Sequence, residues 1–314
     1  MCLMIFSINF ETMKKIVVTG STGFVGSNLV DLLSSKGYDV YIIIRNKSNL
    51  ERIKLSNNQQ VYVYDGKIKG LINFFQKIKP ETVFHLASYF VSEHNSNQID
   101  NLINSNLSFG LHVLEAMKFS GTKKMINTGT SWQHYKNENY NPVCLYAATK
   151  QAFESLIDYY VKAELFKVIT LKLFDTYGET DNREKLINVI TEEKFNEKKL
   201  KMSPGNQCIN LTHISDVCKA FILAGNQLNQ KDFMGHKKYA VSNKKSYKIK
   251  EVISLYESIS GDKINVIWGG RNYRKREVML PWNKGEKLPK WDAKISLEEG
   301  LKNLYNYKKA NLKK

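Results

Sequence analysis

The stretch Lys15-Ile16-Val17-Val18-Thr19-Gly20-Ser21-Thr22-Gly23-Phe24-Val25-Gly26 reads as a short apolar strand running into a three-glycine turn. An apolar helix pattern follows from Phe24 to Leu33, and Gly37 supplies a stop after Ser34-Ser35-Lys36. Strand, tight turn and helix together bring free helix N-terminal N–H groups beside backbone that lacks Cβ atoms, an arrangement that suits a pyrophosphate. The spacing of Gly20, Gly23 and Gly26 is G-x-x-G-x-x-G rather than the plain G-x-G-x-x-G, and a glycine cluster alone is often only a turn. The neighbouring segments decide between the two.

A second apolar run, Asp39 to Ile44, ends at Arg45, where a dinucleotide fold meets the adenosine ribose. An acidic residue there would accept from the ribose 2′-OH, whereas an arginine faces a 2′-phosphate. Arg45, with non-acidic Asn46 and Lys47 beside it, gives the expectation that NADP(H) is preferred over NAD(H). Strand-like runs follow at Gln60 to Tyr64, Thr82 to Leu86 and Lys124 to Asn127, separated by helical stretches such as Ile72 to Ile78 and Leu102 to Met117. That alternation predicts an α/β fold, a Rossmann-type doubly wound parallel sheet with a smaller C-terminal substrate-binding lobe. Asp65, followed by Gly66, closes the third strand as an acceptor for an adenine amino group. Leu86, Ala87 and Ser88 close the fourth with side chains small enough for a cofactor to lie close. His85 is read as a packed histidine without chemistry.

The reaction is expected from Tyr146-Ala147-Ala148-Thr149-Lys150, which places a tyrosine and a lysine on one face of a helix spanning Leu145 to Tyr160. A free tyrosine titrates near ~10 and is a poor acid–base group at neutral pH. A lysine ammonium, with the positive ring of an oxidised nicotinamide, is expected to lower that pKa. Tyrosine and lysine at this spacing are common by chance. The hydroxyl-rich strand end Asn127-Thr128-Gly129-Thr130-Ser131, which can place a donor on the same carbonyl oxygen, makes the pair specific.

With these residues in place, the chain resembles the extended short-chain dehydrogenase/reductase superfamily of nucleotide-sugar epimerases, dehydratases and reductases. The resemblance runs from Met13 to about Leu301 and is carried by Thr19 to Gly26, Phe84 to Ser88, the Tyr146 and Lys150 pair, and Leu171 to Gly178. It implies cofactor contacts from Gly20, Thr22, Gly23, Phe24, Val25, Gly26, Asn106 and Thr176. It further implies that Thr130 is the catalytic hydroxyl, Tyr146 the acid–base, and Lys150 the residue that tunes Tyr146 and binds the nicotinamide ribose. Dehydratases of this superfamily carry an Asp-Glu pair directly after the catalytic threonine. Ser131 and Trp132 stand there instead, so 4,6-dehydration lacks its proton donor and acceptor. The segments Thr128 to Gln133, Tyr273 to Met279 and Leu288 to Trp291 look like the branch that contains the CDP-abequose and CDP-paratose synthases, which reduce a 4-keto group of a CDP-linked deoxyhexose with NADPH. Departures from the superfamily pattern are Lys172 for arginine, Gly66 for an apolar residue and Glu179 for proline. A homodimer formed through the Tyr146 helix and its predecessor is also implied.

In the C-terminal third, Asn210 to Val217 resembles the strand-to-helix segment that anchors the substrate lobe, and Asp216 is expected to cap that helix or hold the lobe. Ser131, Trp132, Arg183, Arg271 and Arg274 are the candidate substrate contacts. The arginines are chosen because guanidinium groups grip diphosphate oxygens in a bidentate way. The basic loop from Arg271 to Arg276 has an equally simple reading as a solvated surface.

The chain has 314 residues, enough for one large core. The organisation expected is an N-terminal extension over 1–12, a dinucleotide-binding domain over 13–176 and a mainly nucleotide-sugar lobe over 177–314, interleaved with it. No repeat and no apolar run of bilayer length is present. Cys2, Cys144, Cys208 and Cys218 form no C-x-x-C pair, and no metal site is read. Lys and Arg total 47 against 30 Asp and Glu, a net charge of +17. The lysines are dispersed, with a short cluster at Lys308-Lys309 and Lys313-Lys314, and no nucleic-acid-binding motif accompanies them. A solvated surface that steers anionic NADP and nucleotide-sugar follows, with neither nucleic acid nor membrane as partner and a cytoplasmic location. The expected reaction is NADPH-dependent reduction of a 4-keto nucleotide-sugar, CDP-linked. An NAD-dependent 4-epimerase and a non-catalytic NADP-binding regulator are the alternatives.

Overall fold

The computed structural model describes residues 15–46, 48–50, 53, 59–196 and 199–311. The expected extension over 1–12, Lys47 and the Lys313-Lys314 pair lie outside them. The first half of the chain alternates strand and helix: β1 (Lys15–Thr19), α1 (Phe24–Ser35), β2 (Asp39–Arg45), β3 (Gln59–Tyr64), α2 (Ile68–Ile78) and β4 (Thr82–His85). It continues through α3 (Ile99–Ile103), α4 (Phe109–Ser120), β5 (Lys124–Thr130), α5 (Leu145–Glu164) and β6 (Lys167–Leu173). The second half holds β7 (Asp175–Tyr177), α6 (Leu186–Asn196), β8 (Leu200–Met202), β9 (Cys208–Ile209), β10 (Leu211–His213) and α7 (Ile214–Leu228). After these come β11 (His236–Val241), β12 (Tyr247–Lys248), α8 (Ile249–Ser260), β13 (Val266–Trp268) and α9 (Leu297–Asn311).

Seven strands form one sheet in the order β11-β6-β5-β4-β1-β2-β3, every neighbouring pair parallel. Side chains alternate across it. Ile16, Val18, Val40 and Ile42 pack on one face with Leu29 and Leu33 of α1 and Phe221 of α7. Val17, Tyr41 and Ile43 pack on the other with Phe75 of α2, Val113 of α4 and Phe153 of α5. Two buried faces explain why the strands read as continuous apolar runs. From β1 the chain builds outward to β2 and β3 and then restarts at β4 on the other side. That reversal opens a crevice beyond the carboxyl ends of β1 and β4, the place where such sheets bind ligands.

Two elements differ from expectation in ways that shape the crevice. The helix expected over Leu102 to Met117 is divided, with a π-helical turn over Asn104–Ser108 between α3 and α4. Strand β5 continues three residues beyond Asn127, and Thr130 is its last residue.

The remaining elements form a lobe with its own apolar cluster, in which Ile187 and Ile190 of α6, Val252 and Tyr256 of α8, and Leu301 and Leu304 of α9 are buried. Strand β11 returns to the edge of the main sheet, so sheet and lobe share the chain beyond Tyr177. Asp216 does not cap α7: the N-cap is His213, whose ring accepts from Ser215 N–H. Asp216 instead takes the second role read from the sequence. Its buried Oδ2 accepts from Lys294 N–H and Ile295 N–H, each at 2.8 Å, and its backbone oxygen accepts from Trp291 Nε1 at 3.0 Å. The C-terminal segment is thereby tied to α7.

Candidate active site

At the turn, Gly20 adopts φ +70°, and its oxygen accepts from Gly23 N–H at 3.0 Å. A Cβ on Gly20 would stand 2.5 Å from Ala87 N, and one on Gly26 would stand 2.1 Å from Gly20 O. Only glycine fits either place. Gly23 is the N-cap of α1 and offers no side-chain acceptor, which leaves the first N–H groups of the helix open to an anion. Behind the turn, Thr19 Oγ1 contacts His85 Nδ1 at 3.0 Å and accepts from Ala87 N–H at 3.2 Å. Burial, with the nearby Lys150 charge, pushes His85 down to about 3, so it is neutral packing as expected.

This turn floors a cleft of about 570 Å³. Gly20 and Gly23 line it from the turn, Phe24, Val25 and Gly26 from the first turn of α1, and Leu86 and Ser88 from just beyond β4. Thr130, Tyr146, Lys150 and Thr176 complete the wall. Thr22 sits half-buried within the turn, and Ala87 contributes its backbone. Arg45, Asp65 and Gly66 lie exposed at the carboxyl ends of adjacent β2 and β3, with Arg45 opposite Tyr64. The shape, the glycine cradle and the open helix terminus fit a dinucleotide.

Thr130 ends β5 with its Oγ1 accepting from Trp132 N–H at 3.2 Å. Its own N–H donates to Gln133 Oε1 at 3.0 Å. Tyr146 and Lys150 lie one turn apart on α5. Burial pushes the Tyr146 phenol up to about 12, while a hydrogen bond with Ser88 and the Arg183 charge act the other way. The expected lowering joins Lys150 to the ring of an oxidised nicotinamide, and Lys150 alone does not offset the desolvation of Tyr146. Desolvation prevails, and it brings Lys150 itself down to about 8 against the opposing charge of Glu154.

Asn106, in the π-helical turn, is 2% exposed, and both ends of its amide are engaged. Oδ1 accepts from Ser88 Oγ and Tyr89 N–H, while Nδ2 donates to Tyr89 O and Thr149 Oγ1. It fastens the β4 end to α5 rather than presenting a free polar group to the cleft. Under Thr130 lies a buried polar cluster absent from the sequence reading: Gln133 Nε2 donates to Gln151 at 2.7 Å and to Glu154 at 2.8 Å. Glu154 pairs with Lys172 at 3.6 Å and Lys238 at 3.1 Å. Lys172 donates to His134 Nε2 at 2.7 Å, and His134 stacks on Trp282 with centroids 3.9 Å apart.

A second cleft, about 470 Å³, adjoins the first, and Ser131, Trp132, Phe90 and Phe174 belong to both. Arg271 and Arg274 line this cleft as expected, with the Arg274 guanidinium 5.3 Å over Trp132 and paired to Glu277. Arg183 does not join them. Asp181 grips its guanidinium at 2.7 and 2.8 Å, and it lies 4.6 Å over the Phe24 ring, which turns it toward the dinucleotide cleft. Lys185, two residues on, takes the position between the clefts, with Nζ 3.7 Å over Phe90. Burial holds its ammonium below the usual lysine value, with Asp175 opposing and Arg183 and Arg274 adding to the effect. The sequence signal for Lys185 was present in the segment that also holds Arg183, but spacing alone did not say which cation turns inward. Phe90 also went unread; it meets Tyr146 edge-on at 4.9 Å. Thr128 Oγ1, buried without a partner at the dinucleotide cleft, carried no signal beyond its hydroxyl-rich segment.

Sheet, glycine cradle and the Thr130-Tyr146-Lys150 constellation mark a nicotinamide-dinucleotide-dependent enzyme. The chain belongs to the NAD dependent epimerase/dehydratase family, whose model matches residues 16–236. It is 28% identical to a CDP-abequose synthase of Yersinia pseudotuberculosis over 91% of this chain and 97% of that protein. It is 26% identical to a UDP-glucuronate 4-epimerase of Thermodesulfobacterium geofontis over 94% of this chain and 96% of that protein. The fold is shared with the UDP-glucuronic acid 4-epimerase from Bacillus cereus, solved with UDP-glucuronic acid and NAD, at a TM-score of 0.83 and 24% identity over 95% of this chain and 99% of that one.

Proposed function

We propose that the protein reduces the 4-keto group of a CDP-linked deoxyhexose with NADPH, in the building of a surface-polysaccharide sugar. The observation that carries this reading is that Thr130, Tyr146 and Lys150 line one cleft with the glycine cradle. A phenol and a hydroxyl that share a cleft wall can reach the same oxygen, one as proton donor and the other as hydrogen-bond partner. Gly20, Gly23 and Gly26 would hold the dinucleotide, whose reduced nicotinamide would supply the hydride to C4. Tyr146 gives its proton to the C4 oxygen as the carbonyl becomes an alcohol, and Thr130 hydrogen-bonds the same oxygen. Lys150 lies one turn away and holds the nicotinamide ribose. Support for the sugar comes from the likeness to a CDP-abequose synthase and from the aromatic walls Phe90, Trp132 and Phe174 where the clefts meet, which suit a deoxygenated ring. Support for NADPH comes from Arg45 at the end of β2.

The layout assigned to this function is the dinucleotide-binding domain over 13–176 and the sugar-nucleotide lobe mainly over 177–314, working as a cytoplasmic homodimer. Among the described residues no helix is long and apolar enough to cross a membrane. A second reading, an NAD-dependent 4-epimerase, is favoured by the likeness to a UDP-glucuronate 4-epimerase. It requires Tyr146 to begin as the phenolate, with the oxidised ring lowering its pKa. Purified protein given CDP-4-keto-6-deoxy and CDP-4-keto-3,6-dideoxy hexoses with NADPH or NADH separates the two. Stoichiometric NADPH loss with one sugar supports the reductase. Isomerised sugar with no net NADPH loss, and NAD retained by the purified protein, supports the epimerase.

A further inference from the structure

The second cleft includes, on its lobe side, an apolar lining from Val189, Leu200, Met202 and Ile249. Gln207 lines the same cleft and is 8% exposed. Its Nε2 donates at 2.8 Å to the hydroxyl of Ser203, which is buried at the same cleft. Its Oε1 is buried and has no hydrogen-bond partner. An acceptor left in that condition loses hydration without compensation, and a ligand N–H donor restores it. The backbone is fixed too, because Gln207 O accepts from Ile249 N–H at 3.1 Å at the start of α8. Arg271 N–H donates to Met202 O at 3.2 Å, which sets Arg271 beside this lining, while the Arg274 guanidinium lies over Trp132 nearer the reacting end. Apolar lining with one fixed acceptor, then cations, then the reacting hydroxyls is the order of base, diphosphate and sugar.

We propose that Gln207 selects the nucleobase: its Oε1 accepts from the exocyclic amino group of cytosine, with Ser203 holding the amide in that orientation. The inference rests on the nucleotide-sugar reading of the same cleft. Uracil and thymine carry a carbonyl oxygen where cytosine carries the amino group, and an acceptor facing an acceptor is repulsive. Without Ser203 the Gln207 side chain loses the contact that holds it at the cleft wall, and the discrimination between bases weakens.

Calorimetric titration of the whole protein with CDP and with UDP tests this on wild type, Gln207→Met and Ser203→Ala. Wild type is expected to bind CDP at least about tenfold more tightly than UDP, and Gln207→Met to lose about tenfold for CDP with little change for UDP. Ser203→Ala is expected to narrow the preference, and it keeps the test open if Gln207→Met does not fold. An unchanged CDP-to-UDP ratio in either folded variant, or a wild-type preference for UDP, overturns the assignment while leaving the nucleotide-sugar reading intact. Failure of wild type to bind either nucleotide removes that reading, and the assignment with it.

Discussion

Gln133 and Glu154 are joined by a 2.8 Å hydrogen bond from the Gln133 amide to a carboxylate that is fully buried on α5. Through it the strand end that carries Thr130 is fixed to the helix that carries Tyr146 and Lys150. The same carboxylate answers two lysines, one of them, Lys172, only 4% exposed. Removing one partner of a buried ion pair leaves an uncompensated charge and costs about 3–5 kcal/mol. Glu154→Leu is expected to lose that much in urea unfolding, and Glu154→Gln less, because the amide still accepts from Gln133. A loss below about 1 kcal/mol for the leucine variant would show the cluster to be incidental.

Lys150 makes stability depend on pH in a defined direction. Its pKa is about 8 when folded, against an ordinary value of 10.5, so between these the unfolded chain binds the extra proton. Stability from this group therefore rises with pH from about 8 to 10.5 and carries its full penalty, on the order of 3 kcal/mol, below 8. Lys150→Met removes the penalty. Relative to wild type, its stability should be highest near pH 7, and the difference should shrink toward pH 10.5. Parallel stability–pH curves for the two proteins would contradict this.

The glycine cradle makes a steric prediction. A Cβ on Gly26 would overlap the Gly20 carbonyl, and backbone cannot give way as a flexible side chain can. Gly26→Ala should lower stability by about 1–3 kcal/mol and weaken dinucleotide binding at least about tenfold, read by fluorescence titration. Wild-type affinity in this variant would mean that the turn does not hold the pyrophosphate.

Arg45 stands exposed at the end of β2 and is proposed to meet the 2′-phosphate. Charge-assisted contacts of this kind are worth about 1.5–3 kcal/mol, or roughly ten- to a hundredfold in affinity. Arg45→Glu should raise the KM for NADPH by that factor and leave NADH equal or improved. An equal effect on both cofactors would refute a 2′-phosphate role.

Much of the fold was legible because buried parallel strands and their glycine turn announce themselves locally. β1, the α1 start and the α5 start fell where periodicity put them, and Gly20, Gly26, Thr130, Tyr146 and Lys150 meet in one cleft. What sequence did not convey was long-range. The π-helical turn at Asn106 depends on contacts with Tyr89 and Thr149, far away in the chain. Arg183 was assigned to the substrate by charge, yet Asp181 and Phe24 hold it on the dinucleotide side. The buried cluster of Gln133, Glu154, Lys172 and His134 spans separate elements, so no local pattern reveals it.

The most direct test of the reaction follows the hydride itself. Wild type supplied with NADPH deuterated at the transferring position and a CDP-4-keto-deoxyhexose should place one deuterium on C4 of the sugar for each NADPH oxidised, and Tyr146→Phe should abolish the transfer. Isomerised sugar carrying no deuterium at C4, with NADPH unconsumed, would contradict the reductase and leave the epimerase in its place.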